Sequence, residues 1–231
     1  TYRQSSSFRE DLRQRDPRNL LLARQERLRV EAEIVRDAAL CASGLLDSTI
    51  GGPSVRPPQP EGVYAFTQTV KKWVADTGAA RYRRGMYTLF FRSAPHPLLS
   101  TFDVPDMQSV CTRRGRSNTP LQALLVANDE AMFECAQALA ARVLGALPDA
   151  PAEEHLAMLV KLALCRPPQP EEHALLRAYY ERQLARLATA REQAASLVNT
   201  DLMRLADAPQ AAALVLASRV ILNCDNFLTR E

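Results

Sequence analysis

Thr119-Pro120-Leu121-Gln122-Ala123-Leu124-Leu125-Val126-Ala127-Asn128-Asp129 is the stretch on which the fold reading turns. A threonine stands where a helix N-cap belongs, a proline follows at the first helical position, and a glutamine sits at the third. The threonine hydroxyl is expected to accept from the third amide while the glutamine side chain returns to the cap amide. Asn128-Asp129 restarts a second helix, predicted through about Leu144 with Met132, Ala136, Leu139 and Val143 inward. Two helices joined with almost no linker point to an all-α fold.

The same punctuation continues downstream. Asp149-Ala150-Pro151 with Glu153-Glu154 opens a helix that ends at Arg166-Pro167-Pro168. Pro170-Glu171-Glu172 opens the next, through about Ala188, with Leu176, Tyr180, Leu184 and Leu187 on one face. First-turn acids of this kind serve the helix dipole and do not suggest a glycosidase pair. Asp207-Ala208-Pro209 opens the last, ending near Asn223, with apolar residues almost all round, so it is expected to be deeply buried.

Upstream the pattern loosens. Val30 to Leu46 reads as an amphipathic helix with Ile34, Ala38, Cys41 and Leu45 inward, flanked by Val35, Ala42 and Leu46. Glu33, Arg36 and Asp37 then face away. Gly51-Gly52-Pro53 stops it, and residues 47–63, with Pro57-Pro58-Gln59-Pro60, form a loop of polyproline II character. Val70 to Val74 fits either a short edge strand or a helical turn. Arg83 to Arg92 is predicted helical and aromatic-rich, stopping at Ala94-Pro95-His96-Pro97, because a residue before proline leaves the helical region. An irregular stretch follows to Asn118. The expectation is one irregular helical bundle over 1–231, with a loop-rich half over 1–118 and a helical half over 119–231.

Bulk composition narrows the function classes. The 231 residues include 8 glycines and 15 prolines, favouring helices joined by proline-marked loops over tight hairpins. No apolar run is long enough to span a membrane as a helix. A net charge of +3 does not suggest a nucleic-acid protein. Of 29 basic residues 26 are arginine, which suits bidentate pairing with carboxylates, although GC-rich coding gives the same bias. Five scattered cysteines contain no CxxC pair, so neither a zinc ribbon nor a c-type haem attachment is encoded here, and no cofactor is expected in this chain. Cys41, Cys135 and Cys165 fall at apolar helix positions and read as small hydrophobes.

The densest chemistry lies between Arg81 and Arg116, where seven arginines face two acids, Asp103 and Asp106. Arg113, Arg114, Arg116, Asn118 and Thr119 could form an anion site, guanidiniums joining the amide-rich helix start. Alternatively, Arg113, Arg114 and Arg116 pair with Asp103 or Asp106 and with helix carbonyls, bracing irregular backbone that lacks ladder bonds. His96, stiff between two prolines, could serve with Asp103 as an acid/base pair, or could simply be a hydrogen-bonded structural histidine. His155 and His173 are expected on exposed helix faces, and no metal site is apparent from spacing. Tyr87, Phe90 and Phe91 read as core before they read as a sugar platform. No GxSxG, Walker loop, GxGxxG or HExxH occurs, and no catalytic residue is assigned.

Three long runs carry a resemblance: Ile50-Gly51-Gly52-Pro53-Ser54-Val55; Tyr82-Arg83-Arg84-Gly85-Met86-Tyr87-Thr88 leading to Arg92-Ser93-Ala94-Pro95-His96-Pro97; and Thr101-Phe102-Asp103-Val104-Pro105-Asp106 leading through Cys111-Thr112-Arg113-Arg114-Gly115-Arg116-Ser117-Asn118 to Thr119-Pro120-Leu121-Gln122. Together with the ending Asn223-Cys224-Asp225-Asn226-Phe227-Leu228-Thr229-Arg230-Glu231, they resemble the C-terminal planctomycete-type domain of unknown function 1553. Two departures are visible: Gln25-Glu26 replaces an expected Gly-Pro, and Phe90-Phe91 replaces a common Trp and basic residue. The opening Thr1-Tyr2-Arg3-Gln4-Ser5-Ser6 resembles a site inside that domain, so the missing N-terminal part of the same protein is an expected partner. The resemblance implies an exported protein, periplasmic or at the cell surface, often with a cytochrome-c-like domain. It names no activity. Two functions therefore stand as expectations. One is a non-catalytic helical interaction module among subunits of an exported assembly. The other is an extracytoplasmic binding or hydrolytic domain for acidic polysaccharide.

Overall fold

The computed structural model describes residues 4–7, 9–65, 67 and 72–230. It is mainly helical, with 54% of residues in helix and one two-stranded sheet among the described residues. The helices are α1 (Glu10–Arg15), α2 (Ala32–Ser43), α3 (Pro97–Thr101), α4 (Pro120–Asn128), α5 (Glu130–Ala146), α6 (Ala152–Leu164), α7 (Pro170–Thr189), α8 (Arg191–Leu197), α9 (Thr200–Met203), α10 (Ala208–Leu222) and α11 (Asp225–Leu228). Strands β1 (Leu28–Arg29) and β2 (Thr229–Arg230) pair antiparallel and tie the early chain to its far end.

α10 is the axis of the bundle and packs against α5, α6, α7 and α8. Ala211, Ala212, Ala213, Val215 and Ala217 are fully buried, and these small side chains let the neighbouring helices close in. Around them lie Leu139, Leu156, Leu159, Leu187, Leu202 and Leu214, each contributing on the order of 2 kcal/mol on burial. The predicted inward positions Met132, Ala136, Leu139 and Val143 of α5 are buried, as are Leu176, Tyr180 and Leu187 of α7; Leu184 is half-buried.

α5 begins as its sequence suggests. Asp129, itself buried, accepts from the Met132 amide at 3.0 Å and so caps the helix. Burial raises its carboxyl above the ordinary range, against the Met132 amide and the nearby Arg36, which both favour the charged form. Asp129→Ala is expected to cost about 1 kcal/mol while Asp129→Asn keeps most of the stability; urea titration of the two variants checks this, and equal losses would refute it.

Several expectations are corrected. Thr119 is the N-cap of α4, but its hydroxyl makes no capping bond. Gln122 does not return to the cap either; it is buried and donates to Thr101 O at 3.0 Å and Ser117 Oγ at 3.1 Å. The buried face of α2 is rotated from the expected stripe: Val35, Arg36, Ala39, Leu40 and Ala42 are inside, while Ile34 and Cys41 are exposed. Arg36 can be inside because its Nη2 donates to Arg81 O at 2.6 Å. No helix forms over 83–92. The chain makes two 3₁₀ turns, Gly78–Tyr82 and Gly85–Tyr87, with Arg83 and Arg84 extended, and Val55 pairs alongside Thr88. The stretch expected to be irregular to Asn118 contains α3. Val70 and Lys71 lie outside the described residues, and 72–77 has no regular structure. His155 is buried, bonded through Nε2 to Leu147 O at 2.6 Å, and His173 is half-buried against Glu153 O. All five cysteines are free; Cys135 is buried, whereas Cys41 and Cys165 are exposed.

Candidate functional site

The arginine-rich segment does not converge on an open cleft. Each of its central members reaches a different part of the early chain or of α5. Arg81 pairs with Glu130 at 2.9 Å and Glu134 at 3.0 Å, and the Tyr82 hydroxyl donates to Glu134 at 2.6 Å. Burial and that carboxylate push the Tyr82 phenol up to about 12, fixing it as a donor. Arg84 pairs with Asp37 at 3.2 Å, and the Gly85 amide donates to the same carboxylate at 2.5 Å.

Arg83 is buried and plugs the glycine-proline loop. Its Nη1 donates to Pro53 O at 3.0 Å, its Nη2 to Thr49 O at 3.1 Å and also to Gly51 O, and its guanidinium lies 3.8 Å from the Tyr87 ring centre. The loop can present several carbonyls inward because Gly51 and Gly52 both take left-handed backbone. The Tyr87 hydroxyl accepts from the Gly51 amide at 2.8 Å. Two of the three runs thus form one object: the Tyr82–Thr88 run supplies the cation and ring, and the Ile50–Val55 run supplies the cradle.

The third run packs on the start of α2. Arg114 donates to Glu31 at 3.0 Å and Glu33 at 2.8 Å, and Arg116 lies 3.4 Å from Glu31. Asp103 takes left-handed backbone and accepts from the Ser117 amide at 2.6 Å and hydroxyl at 2.7 Å. Asp106 accepts from the Gln108 and Ser109 amides. The expected pairing of Arg113, Arg114 and Arg116 with Asp103 or Asp106 is therefore not what forms. The acids come from α2 and its cap, and Asp103 serves the loop's own Ser117. Arg113 and Asn118 are exposed, and Thr119 is half-buried. The space enclosed by Arg29, Glu31, Phe102, Asp103, Arg114, Arg116 and Gln122 is about 10 Å³, room for at most one water.

His96 and Asp103 are not joined by a hydrogen bond among the described residues. The His96 Nε2 bonds to Pro58 O at 2.9 Å, and since a carbonyl only accepts, this nitrogen carries the proton. Burial, with Arg36 adding like-charge repulsion, lowers its pKa to about 4. Trp73, 6.0 Å away between ring centres, donates from Nε1 to Pro57 O at 2.7 Å. Phe91 and Tyr64 complete this aromatic cluster, so Phe91 is a packing residue as its helical-spacing reading suggested, though no helix carries it. Among the described residues no group of three or more His, Cys, Asp and Glu is placed to hold a metal ion.

Arg116 also borders an open groove of about 310 Å³ that Arg29, Glu31, Ile34 and Arg230 line, and further concave surface lies elsewhere. A groove of about 500 Å³ runs between α7 and α10, lined by Leu175, Leu176, Tyr179, Val220 and Ile221 together with polar and charged residues that include Arg166, Glu171, Glu172 and Asp225. Sequence reading did not single it out. It also missed Glu31, Glu33 and Asp37 as partners; their signal was three acids at the start of α2, of which Glu33 and Asp37 were assigned to solvent.

A family model described as PSD1, protein of unknown function (DUF1553), matches residues 1–180. No curated protein and no solved structure matches the chain.

Proposed function

The chain belongs to the DUF1553 family of proteins of unknown function, and from that premise we propose that it is a non-catalytic helical interaction module. The observation that carries this reading is the occupation of Arg114 and Arg116 by Glu31 and Glu33. Guanidiniums already matched by the chain's own carboxylates brace a loop; they do not wait for an acidic ligand. The groove between α7 and α10 combines apolar residues with carboxylates such as Glu171, Glu172 and Asp225, a lining that suits a protein partner better than an acidic sugar. Export, a periplasmic or cell-surface location and a cytochrome-c-type neighbourhood are part of the proposal and rest on the family resemblance alone.

The test pairs stability with glycan binding. Arg114→Ala combined with Arg116→Ala removes a partly exposed network of three contacts and is expected to cost about 1–2 kcal/mol, toward the upper end for surface pairs because two carboxylates are left facing each other. Calorimetry with an oligogalacturonate should show no binding to the wild-type chain at millimolar concentration. Unchanged stability in the variant, together with uronate binding by the wild type that the variant loses, would overturn the reading in favour of acidic polysaccharide.

A further inference from the structure

The loop over 17–24 presents its leucines to solvent and buries the polar side chains that hold it. Leu20 and Leu21 are each 76% exposed and Leu22 is 57% exposed, while Asp16 and Asn19 are buried. Asp16 Oδ1 accepts from the Leu20 amide and its Oδ2 from the Leu21 amide, both at 2.7 Å. The Leu22 amide donates to Asn19 O at 3.2 Å. Asn19 Nδ2 donates to Arg24 O at 2.9 Å, and Arg24 Nη2 donates to Pro17 O at 3.2 Å, which ties the two ends of the loop together. Three consecutive leucines therefore stand at a closed tip, and each of their amides already has its acceptor.

The surroundings of the tip are basic. Between Leu12 and Gln25 the charged residues are Arg13, Arg15, Arg18, Arg24 and a single acid, Asp16, which is committed to the two amides. Arg15 and Arg18 are exposed and form no salt bridge among the described residues. An open groove of about 460 Å³ at the base of the loop is lined by Arg13, Pro17, Arg24 and Arg27 beside Glu26. The nearby acids of α1 have arginines of their own: Asp11 lies 3.4 Å from Arg9, and Glu10 lies 3.7 Å from Arg13.

Two properties of the tip select its occupant. Successive residues of a turn point in different directions, so Leu20, Leu21 and Leu22 make no single face for a rigid protein surface to match. A fluid hydrocarbon layer accepts side chains in any direction. Such a layer also penalises unbonded amides, and here all three are bonded within the loop. An anionic bilayer further brings phosphates to the arginines around the tip. We propose that this loop is a membrane-docking tip, its occupant an anionic phospholipid surface into which the leucines insert. The contact is peripheral: no helix among the described residues is long and apolar enough to cross a membrane. It goes beyond the module reading and does not depend on it.

Flotation of the 231-residue chain with phosphatidylglycerol–phosphatidylcholine vesicles, and with phosphatidylcholine alone, tests it. Half-binding to the mixed vesicles should fall on the order of 0.1–1 mM lipid, and about tenfold higher for phosphatidylcholine. Leu20→Ser combined with Leu21→Ser should weaken binding at least about tenfold without lowering the melting temperature, since both side chains are exposed. Leu21→Ser alone provides a second probe if the pair fails to fold. Arg15→Gln combined with Arg18→Gln should weaken binding to the mixed vesicles about tenfold and flatten its salt dependence, leaving phosphatidylcholine binding unchanged. A wild type that anionic vesicles leave in solution at about 5 mM lipid overturns the proposal and returns the leucines to a protein partner. Binding that survives the serine variants overturns this loop as the docking site. Equal binding to the two vesicle types overturns the anionic occupant.

Discussion

Gly85→Ala is expected to destabilise the fold by about 2–3 kcal/mol, a drop in melting temperature of roughly 5–10 °C for a chain of this length. A Cβ at position 85 would stand 2.9 Å from Glu33 O, 3.0 Å from Glu33 Cα and 3.2 Å from Glu33 Cβ. Two of those atoms are backbone in the first turn of α2, so no side-chain rotation relieves the contact. Nor can residue 85 retreat freely. Its amide is bonded to Asp37 at 2.5 Å, and Arg84 holds the same carboxylate at 3.2 Å. Moving apart therefore exchanges a steric clash for lost charge-assisted hydrogen bonds. Gly115→Ala is the control, because nothing lies within 4 Å of its Cβ and its backbone is not left-handed; it should stay within about 0.5 kcal/mol of wild type. Equal melting temperatures for the two alanine variants would show that the close approach at Gly85 carries no energy. A further consequence concerns Glu33, which both Gly85 and Arg114 touch. Gly85→Ala and Arg114→Ala should combine non-additively, since shifting Glu33 weakens the pair that the second substitution removes.

The difference between the two halves of the chain explains what could be read in advance. α5, α6 and α7 were legible because each buries one face along its own length, and that face repeats every 3.6 residues whatever the rest of the chain does; α10 was legible because it is apolar almost all round. Asp129 acted as a cap for a similarly local reason. Thr119 and Gln122 carried the same local signature and did something else, because Gln122 found two acceptors 5 and 21 residues away. The early half is held almost entirely in this second way. Arg83 reaches carbonyls 30 to 34 residues upstream, His96 one 38 residues upstream, and Arg114 carboxylates 81 and 83 residues upstream. No period records such contacts. The cluster of arginines was visible as a cluster, but the identity of its partners was not. A helix placed over 83–92 failed for the same reason: Arg83 and Arg84 must be extended to point one side chain at the glycine loop and the other at α2.

His96 gives the second large effect, and it is read through pH. The ring sits in a buried site with its protonated Nε2 on Pro58 O and its Nδ1 buried without a hydrogen-bond partner among the described residues. Taking up a proton would place a cation there, close to the buried Arg36, which is why the folded-state pKa falls from 6.5 to about 4. The unfolded chain has no such penalty and binds the proton first. Stability from this residue is thus complete above about pH 6.5, declines between there and 4, and is lost below, for a total of about 3 kcal/mol. Within that window the slope approaches one proton, about 1.4 kcal/mol per pH unit. Carboxylates titrate near the lower edge, so the measurement is a difference: urea unfolding of wild type and His96→Gln at intervals from pH 7 to 4. Glutamine can still donate to Pro58 O but does not titrate, so its curve should lack the fall between 6.5 and 4.5 whatever its absolute stability. Parallel curves would mean that His96 is hydrated in the folded chain. The carbonyls of Pro57 and Pro58 would then have water as an alternative partner, and the proline loop would no longer be pinned to α3 by a buried imidazole.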